Sequence, residues 1–189
     1  MHRLSERLLD PAVPGDLQAL QELHGSVPDF YQTTYGRPPA GQEAEATFLD
    51  LPPGKGPEDK VVLGFFEAGA LVGCAELLRS YPDPSTAYLG LLLVSQAHQG
   101  RGLGRRILER VYDLAAGWGC EGLRLAVIAT NGKARRFWLR QGFLEVARKP
   151  YPGATGPALV LQRPNPRYRP ARPAASMAPA EAGAPLENR

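Results

Sequence analysis

The stretch HQGRGLGRR, residues 98–106, sets glycine at every second position and then runs into a segment with helical apolar spacing. Both features carry a cost. Glycine inside a helix destabilises by roughly 0.5–1 kcal/mol relative to alanine. Arg105 and Arg106, in a first helical turn, stand at the unfavourable end of the helix dipole. A helix N-terminus presents unsatisfied backbone N–H groups and about half a positive charge, which together make an anion site. Glycines there let the backbone approach a ligand with no Cβ in the way. Beside a bound phosphate the effect of Arg101, Arg105 and Arg106 changes sign, so one anion accounts for the glycines and the arginines together. The plainer alternative is a tight strand-to-helix turn with solvated arginines; the apolar run directly upstream favours the anion site.

That run, AYLGLLLV (87–94), is nearly continuous in apolar character, as expected of a central strand buried on both faces. Downstream, residues 103–117 read as an amphipathic helix with Leu103, Ile107, Val111 and Leu114 on one face. Two strand-like runs lie upstream, KVVLGFFE (60–67) and ALVGCAELL (70–78), separated by the turn signal Ala68-Gly69. GLRLAVIA (122–129) is another buried strand, and NGKARRFWLRQG (131–142) a helix opened by Asn131 and closed by Gly142. Weaker strand signals follow at 143–149 and 157–162. At the N-terminal end Leu17, Leu20 and Leu23 predict a helix from Gly15 or Asp16 to Gly25. Residues 26–60 are rich in proline, glycine and acids, with Phe30, Tyr31 and Tyr35 among them; the span is expected to be mobile or functional, with one short helix in 43–49. The order predicts a layered mixed α/β domain over residues 1–163. From Pro164 onward 13 of 26 residues are proline or alanine, a composition expected of a disordered or loosely packed tail.

The composition narrows the function classes. At 189 residues, 43% hydrophobic, the chain reads as one soluble globular domain. Its net charge of +3 includes +2 from residues 164–189, so the folded part is near neutral and no nucleic-acid partner is expected. Cys74 and Cys120 are too few for a disulfide framework and suit a reducing cytoplasm. MHRLSERLLD lacks the apolar core of a signal peptide, and no run approaches the ~18 apolar residues of a membrane span, so no membrane association is expected.

Known phosphate loops narrow the anion. The Walker pattern is absent, and the dinucleotide fingerprint would need glycine where Arg105 stands. A dinucleotide fold also starts with its strand–glycine–helix unit, whereas here an antiparallel meander comes first. Gln99, Gly102 and Gly104 instead fit Gln/Arg-x-x-Gly-x-Gly/Ala between a buried strand and a helix. At this point the sequence resembles the GNAT acyltransferase superfamily, which holds the pyrophosphate of acetyl-coenzyme A on this segment. The resemblance continues with Val94 ending the strand, and with Asn131, Ala134, Phe137, Trp138 and the Gln-Gly-Phe of 141–143. It covers about residues 60–150.

The resemblance implies a mixed, mostly antiparallel sheet whose middle strands splay apart, with helices on both faces. It implies acetyl-coenzyme A as acyl donor, with the pantetheine arm along Leu92, Leu93 and Val94, the pyrophosphate on Gln99, Gly100, Arg101, Gly102, Leu103, Gly104 and Arg105, and Asn131, Phe137 and Trp138 beside the cofactor. Transfer to a primary amine of a small molecule or peptide, in a ternary complex, follows. Homodimers are frequent in the family. No metal is expected. The rival reading is a non-catalytic sensor of acyl-coenzyme A or an interaction module with the same fold.

The chemistry shows where this chain departs from its relatives. An amine of pKa near 10.4 costs about 4–5 kcal/mol to deprotonate at pH 7, so a base matters. A thiol leaves fairly well, which makes a general acid worth less. A backbone N–H near Leu93 or Val94 is placed to polarise the thioester carbonyl. The tyrosine that many relatives use as acid is matched by Trp138, which cannot supply a proton. The central strand has no carboxylate, leaving Glu76 as the acid in 70–78, sharing a face with Val72, Cys74 and Leu78 by alternation. Glu76 is the candidate base, Tyr81 a further catalytic candidate, and Asp29 and Tyr31 candidate acceptor-binding residues. His98 adjoins the glycine segment and is expected at the surface.

Overall fold

Strand β4 (Thr86–Val94) lies at the centre of a seven-stranded sheet, and the rest of the fold is arranged around it. The computed structural model describes residues 4–13 and 15–170. In chain order the other elements are β1 (Ser5–Leu8), α1 (Asp16–Gly25), α2 (Pro28–Tyr35), α3 (Glu43–Leu49), β2 (Lys60–Glu67), β3 (Ala70–Leu78), α4 (Leu103–Gly117), β5 (Gly122–Ile128), α5 (Gly132–Arg140), β6 (Leu144–Lys149) and β7 (Ala158–Pro164). The strand order is β1-β2-β3-β4-β5-β7-β6, and every adjacent pair is antiparallel except β4–β5.

Helices α4 and α5 cover one face. Ile107, Val111 and Ala115 of α4 are fully buried against Ala75 and Leu77 of β3, Ala87 and Leu89 of β4, and Leu123 and Leu125 of β5. Fully burying an aliphatic side chain contributes about 1.5–3 kcal/mol, so this layer holds the sheet together. On the other face α1, α2 and α3 bring Leu20, Leu23, Tyr31 and Ala44 onto Val62, Leu71, Cys74 and Leu93. Their apolar contacts reach only as far as β4, although the end of α2 touches the loops at Thr130 and Thr155. Between those contacts the face is open, and Gly90 of β4 and Ala126 of β5 stand exposed in mid-strand.

The structure departs from the sequence reading in four places. β1 and α2 are unexpected elements. β1 is a four-residue edge strand with every side chain exposed, so it carries no apolar alternation. The helix of α2 falls within the span read as aperiodic. The third departure is Val72, which faces α4, away from Cys74 and Glu76, because the β2–β3 register shifts between Phe65 and Phe66. The fourth is the boundary at 163/164. Pro164 belongs to β7, and Asn165 is buried with its side-chain amide donating to the carbonyls of Tyr112 (3.1 Å) and Cys120 (3.3 Å). The remainder of the expected tail, 171–189, lies outside the described residues.

Candidate active site

The parallel β4–β5 ladder stops at Leu89–Leu125, although β4 runs on to Val94 and β5 to Ile128. The cause lies in the neighbouring pair. The β3–β4 register shifts between Glu76 and Leu77, leaving Gly90 without a partner, and such a bulge bends its strand away from the ladder. The middle of the sheet therefore splays, as the resemblance to the GNAT acyltransferases implies. In the gap lies a cleft of about 690 Å³. Its walls are Leu92, Leu93 and Val94 of β4, the turn from Gln99 into α4, Asn131, Phe137 and Trp138 around α5, and Asp29, Phe30 and Thr33 of α2.

The glycine segment is built as an open helix N-terminus. Gly100 (φ 75°) and Gly102 (φ 82°) both occupy the left-handed region, which side chains with a Cβ adopt only under strain. Gly102 caps α4 with no side-chain hydrogen bond to the first turn, and no acid stands in that turn. Those N–H groups are left for an outside acceptor. Gly104 serves packing instead: a Cβ there would meet the Phe137 ring at 3.5 Å, in ordinary contact. Gln99 braces the turn, donating to the Val94 carbonyl (2.9 Å) and accepting from Lys133 Nζ (2.6 Å). Leu103 is buried beneath the turn, Arg105 and Lys133 put cationic groups on the cleft wall, and Arg101 is exposed and off the wall. His98, expected at the surface, is partly buried on the wall, with Nε2 3.0 Å from Glu67 Oε2 and Nδ1 2.6 Å from Ser95 Oγ.

Asn131 caps α5, its Oδ1 accepting from the Ala134 N–H at 3.1 Å, and is almost fully buried beside the cleft. Trp138 packs edge-on against Phe137 and Phe143, with ring centroids 4.8 Å and 5.3 Å away. It is a wall with no acidic proton, as its residue type predicts.

Glu76 lies on the far side of β4, on the sheet face left open. Its carboxylate rests over Gly90, where a Cβ would stand 2.9 Å from Oε1. Sequence reasoning allowed an arginine partner or a cleft; the partner is Lys60, with Nζ 3.0 Å from Oε1. The same ammonium donates to the carbonyls of Thr47 (2.9 Å) and Asp50, so its three protons are taken. Burial raises the Glu76 pKa above the ordinary carboxylate value, and the charge and hydrogen bond of Lys60 oppose that rise.

Beside Glu76 stands Tyr88, a residue that sequence reasoning passed over because a tyrosine in an apolar run looks like core. Tyr81 packs edge-on against it at 5.5 Å. Burial pushes the Tyr88 phenol up to about 12, with the neighbouring Tyr81, Tyr151 and Glu76 adding to the shift and Arg124 opposing it. A phenol held that high is a poor proton donor to a departing thiolate. Tyr81 and Glu76 thus share the open face, and neither lines the cleft.

Asp29 is exposed on the cleft wall, whereas Tyr31 is corrected from the acceptor site to the core. Its hydroxyl meets His24 Nδ1 at 2.5 Å, and His24 Nε2 meets Thr47 Oγ1 at 3.1 Å. Thr47 already donates to the Glu43 carbonyl (2.8 Å), so it accepts from Nε2–H, and Tyr31 donates to Nδ1. Burial lowers the His24 pKa to about 4, so the ring is neutral at pH 7 and ties α1, α2 and α3 together. The C-terminal end of α2 is bridged to the other side of the gap: the hydroxyls of Thr130 (2.9 Å) and Thr155 (2.5 Å) donate to the Thr33 carbonyl.

This geometry, an uncapped helix N-terminus feeding a splayed parallel pair, agrees with what the comparisons find. Residues 21–143 match the acetyltransferase (GNAT) family. An acetyltransferase from Thermus thermophilus superposes with a TM-score of 0.67 at 30% identity, covering 87% of this chain and 99% of that one. The ribosomal-protein-S18-alanine N-acetyltransferase of Escherichia coli superposes with a TM-score of 0.63 over 91% of this chain and 99% of that one; at 19% identity it speaks for the fold alone. A mycothiol acetyltransferase of Beutenbergia cavernae is 35% identical over 79 residues, which are 42% of this chain and 26% of that protein. The matched part thus spans about a quarter of that curated relative. The chain belongs to the acetyltransferase (GNAT) family. Acetyl-coenzyme A is the family's usual donor, and the residues present fit it. Free N–H groups, Arg105 and Lys133 suit a pyrophosphate, and the unpaired edge of β4 suits an amide-bearing arm. Among the described residues no helix is long and apolar enough to cross a membrane.

Proposed function

We propose that this protein transfers an acetyl group from acetyl-coenzyme A directly to a primary amine of a small molecule or peptide. The observation that carries the reading is the end of the β4–β5 ladder at Leu89–Leu125, with the cleft at Leu92–Val94 beyond it and the Glu76 carboxylate over Gly90 on the open face. Bound acetyl-coenzyme A supplies the acetyl thioester. The N-terminus of α4, with Gly100, Gly102, Arg105 and Lys133, holds the diphosphate. A backbone N–H of the unpaired β4 edge, at Leu93 or Val94, polarises the carbonyl, usually a large contribution in acyl transfer. Glu76 takes the proton of the acceptor ammonium, directly or through one water, and Lys60 holds the carboxylate in place for that task. Proton removal by a positioned base contributes about 10²–10⁴-fold. The thiolate leaves without a side-chain acid, since Trp138 has no acidic proton and Tyr88 holds its proton too tightly. Both cysteines are buried, and burial pushes the Cys74 thiol up to about 12, which favours direct transfer over a cysteine-bound intermediate.

Calorimetry with acetyl-coenzyme A, followed by thiol release against a panel of amines, tests the reading. Binding with amine-dependent thiol release is the expected result. Binding with no release by any amine would establish the sensor reading instead, and no binding at sub-millimolar ligand would remove both.

A further inference from the structure

The open face holds a charge that the proposed chemistry does not use. Arg124 stands on β5 opposite Tyr88 in register and is half-buried. Its Nε (3.0 Å) and one terminal nitrogen (2.5 Å) both donate to Gln162 Oε1, a neutral acceptor on β7. That occupies two of five donors. Among the described residues no carboxylate is paired with it. The Asp83 carboxylate, on the turn before β4, is taken up by Ser85 and by Thr86, whose hydroxyls lie at 2.9 Å and 3.0 Å. Hydrogen bonding by Ser85 lowers the Asp83 pKa and the charge of Arg124 adds to it, yet Asp83 and Arg124 form no ion pair, and Gln162 is the hydrogen-bond partner of Arg124. A half-buried guanidinium so placed keeps three donors for an anion, and its planar fork matches a carboxylate.

Opposite charges therefore bracket the floor made by Gly90 and Ala126. Glu76 lies over Gly90 at one side, Arg124 stands on β5 at the other, and the Tyr88 phenol lies between them with Tyr81 edge-on against it. Tyr151, about half exposed, stands on the same side of the sheet with its hydroxyl near those of Tyr35 and Tyr88. The floor is made of small residues, Gly90 and Ala126, both exposed, and the flanks are aromatic.

We propose that this face selects acceptors that carry a carboxylate on the same molecule as the reacting amine. Arg124 takes the carboxylate through its unused donors, the amine lies at Gly90 toward Glu76, and the rings of Tyr81 and Tyr88 flank the body between. The proposal rests on the acyl-transfer reading for the identity of the amine, and its test is a binding measurement that does not need turnover.

Matched ligands are titrated into the full chain saturated with coenzyme A: phenylalanine, phenylalaninamide and phenethylamine as one set, 6-aminohexanoate and hexylamine as a second with a longer spacing. The acid in at least one set is expected to bind roughly 10–100-fold more tightly than its neutral-bodied partners, the worth of a charge-assisted hydrogen-bonded pair. Arg124→Gln is expected to erase that difference and Arg124→Lys to restore part of it, with coenzyme A affinity unchanged in both, which also shows that the variants fold. Equal or tighter binding of the neutral partners, no binding by any member, or a preference that survives Arg124→Gln overturns the proposal. Acid-selective binding without thiol release would sink the acetyl-transfer reading and leave the recognition standing. Release with no acid selectivity would do the reverse.

Discussion

On one side of the β4–β5 gap the wall is chiefly backbone, and on the other it is side chains. One wall of the cleft runs from Leu92 through the turn to Arg105, where φ angles and free N–H groups matter most, and side chains of α2 and α5 close the rest. The open face is assembled from side chains of β3, β4 and the Tyr81 turn between them, together with β5 and the turn at Tyr151. A backbone site tolerates many side chains and binds a constant group. A side-chain site changes with each substitution and suits the partner that varies. On the proposed function, the contrast matches the donor to the first and the acceptor to the second.

Four predictions put that division at risk. The largest effect is expected from Glu76→Gln, which should lower the rate of acyl transfer by about 10²–10⁴-fold with acetyl-coenzyme A affinity unchanged. Steady-state kinetics beside calorimetry reads both, and a matching fall in donor affinity would show that the two sides are not separable. Next, Gly102→Val should weaken acetyl-coenzyme A roughly 10–100-fold through left-handed strain. A Cβ there meets nothing within 4 Å, so the loss is conformational, and acceptor affinity should hold. Gly104→Ala, at an ordinary contact distance from Phe137, is the mild control.

The third prediction concerns pH. The proposed base works ionised, so its rate falls as pH drops through its pKa. Burial raises that pKa, so the acid limb of the rate profile should lie above the ordinary carboxylate range. Lys60 opposes the rise, and Lys60→Met should move the limb higher still. The fourth prediction concerns stability and leaves both sites untouched. The folded-state pKa of His24 lies near 4, against 6.5 for the free group. Between those values the unfolded chain binds more protons, so its contribution is intact above pH 6.5 and is lost as pH falls toward 4. The loss amounts to roughly 3 kcal/mol, and thermal melts across that range measure it. Tyr31→Phe should cost about 1 kcal/mol at pH 7 and shrink the pH dependence, with donor affinity unmoved.

What could be read in the sequence follows the same line. β2, β3, β4, α4 and β5 were legible because burial imposes an apolar pattern, α5 because Asn131 and Gly142 mark its ends, and the glycine segment because φ and dipole demands fall on neighbours in the chain. Helix α2 buries only Tyr31 and Thr34, so PDFYQTTY carries no apolar stripe. Its signals were Pro28 at the first turn and Gly36 in the left-handed region just past its end. Tyr88 and Arg124 were beyond reach because alternation tells which residues share a face and never whether a helix covers it. The partner of Glu76 was missed for a related reason: Lys60 lies 16 positions away and meets it only through the β2–β3 register.

The bridge from Thr33 to Thr130 and Thr155 has a kinetic consequence. It crosses the gap between the wall lined by Asp29 and Phe30 and the face that holds Tyr88. On the proposed assignment the two products leave by separate mouths. Free coenzyme A should then compete with acetyl-coenzyme A and not with the amine, while the acylated product competes with the amine alone.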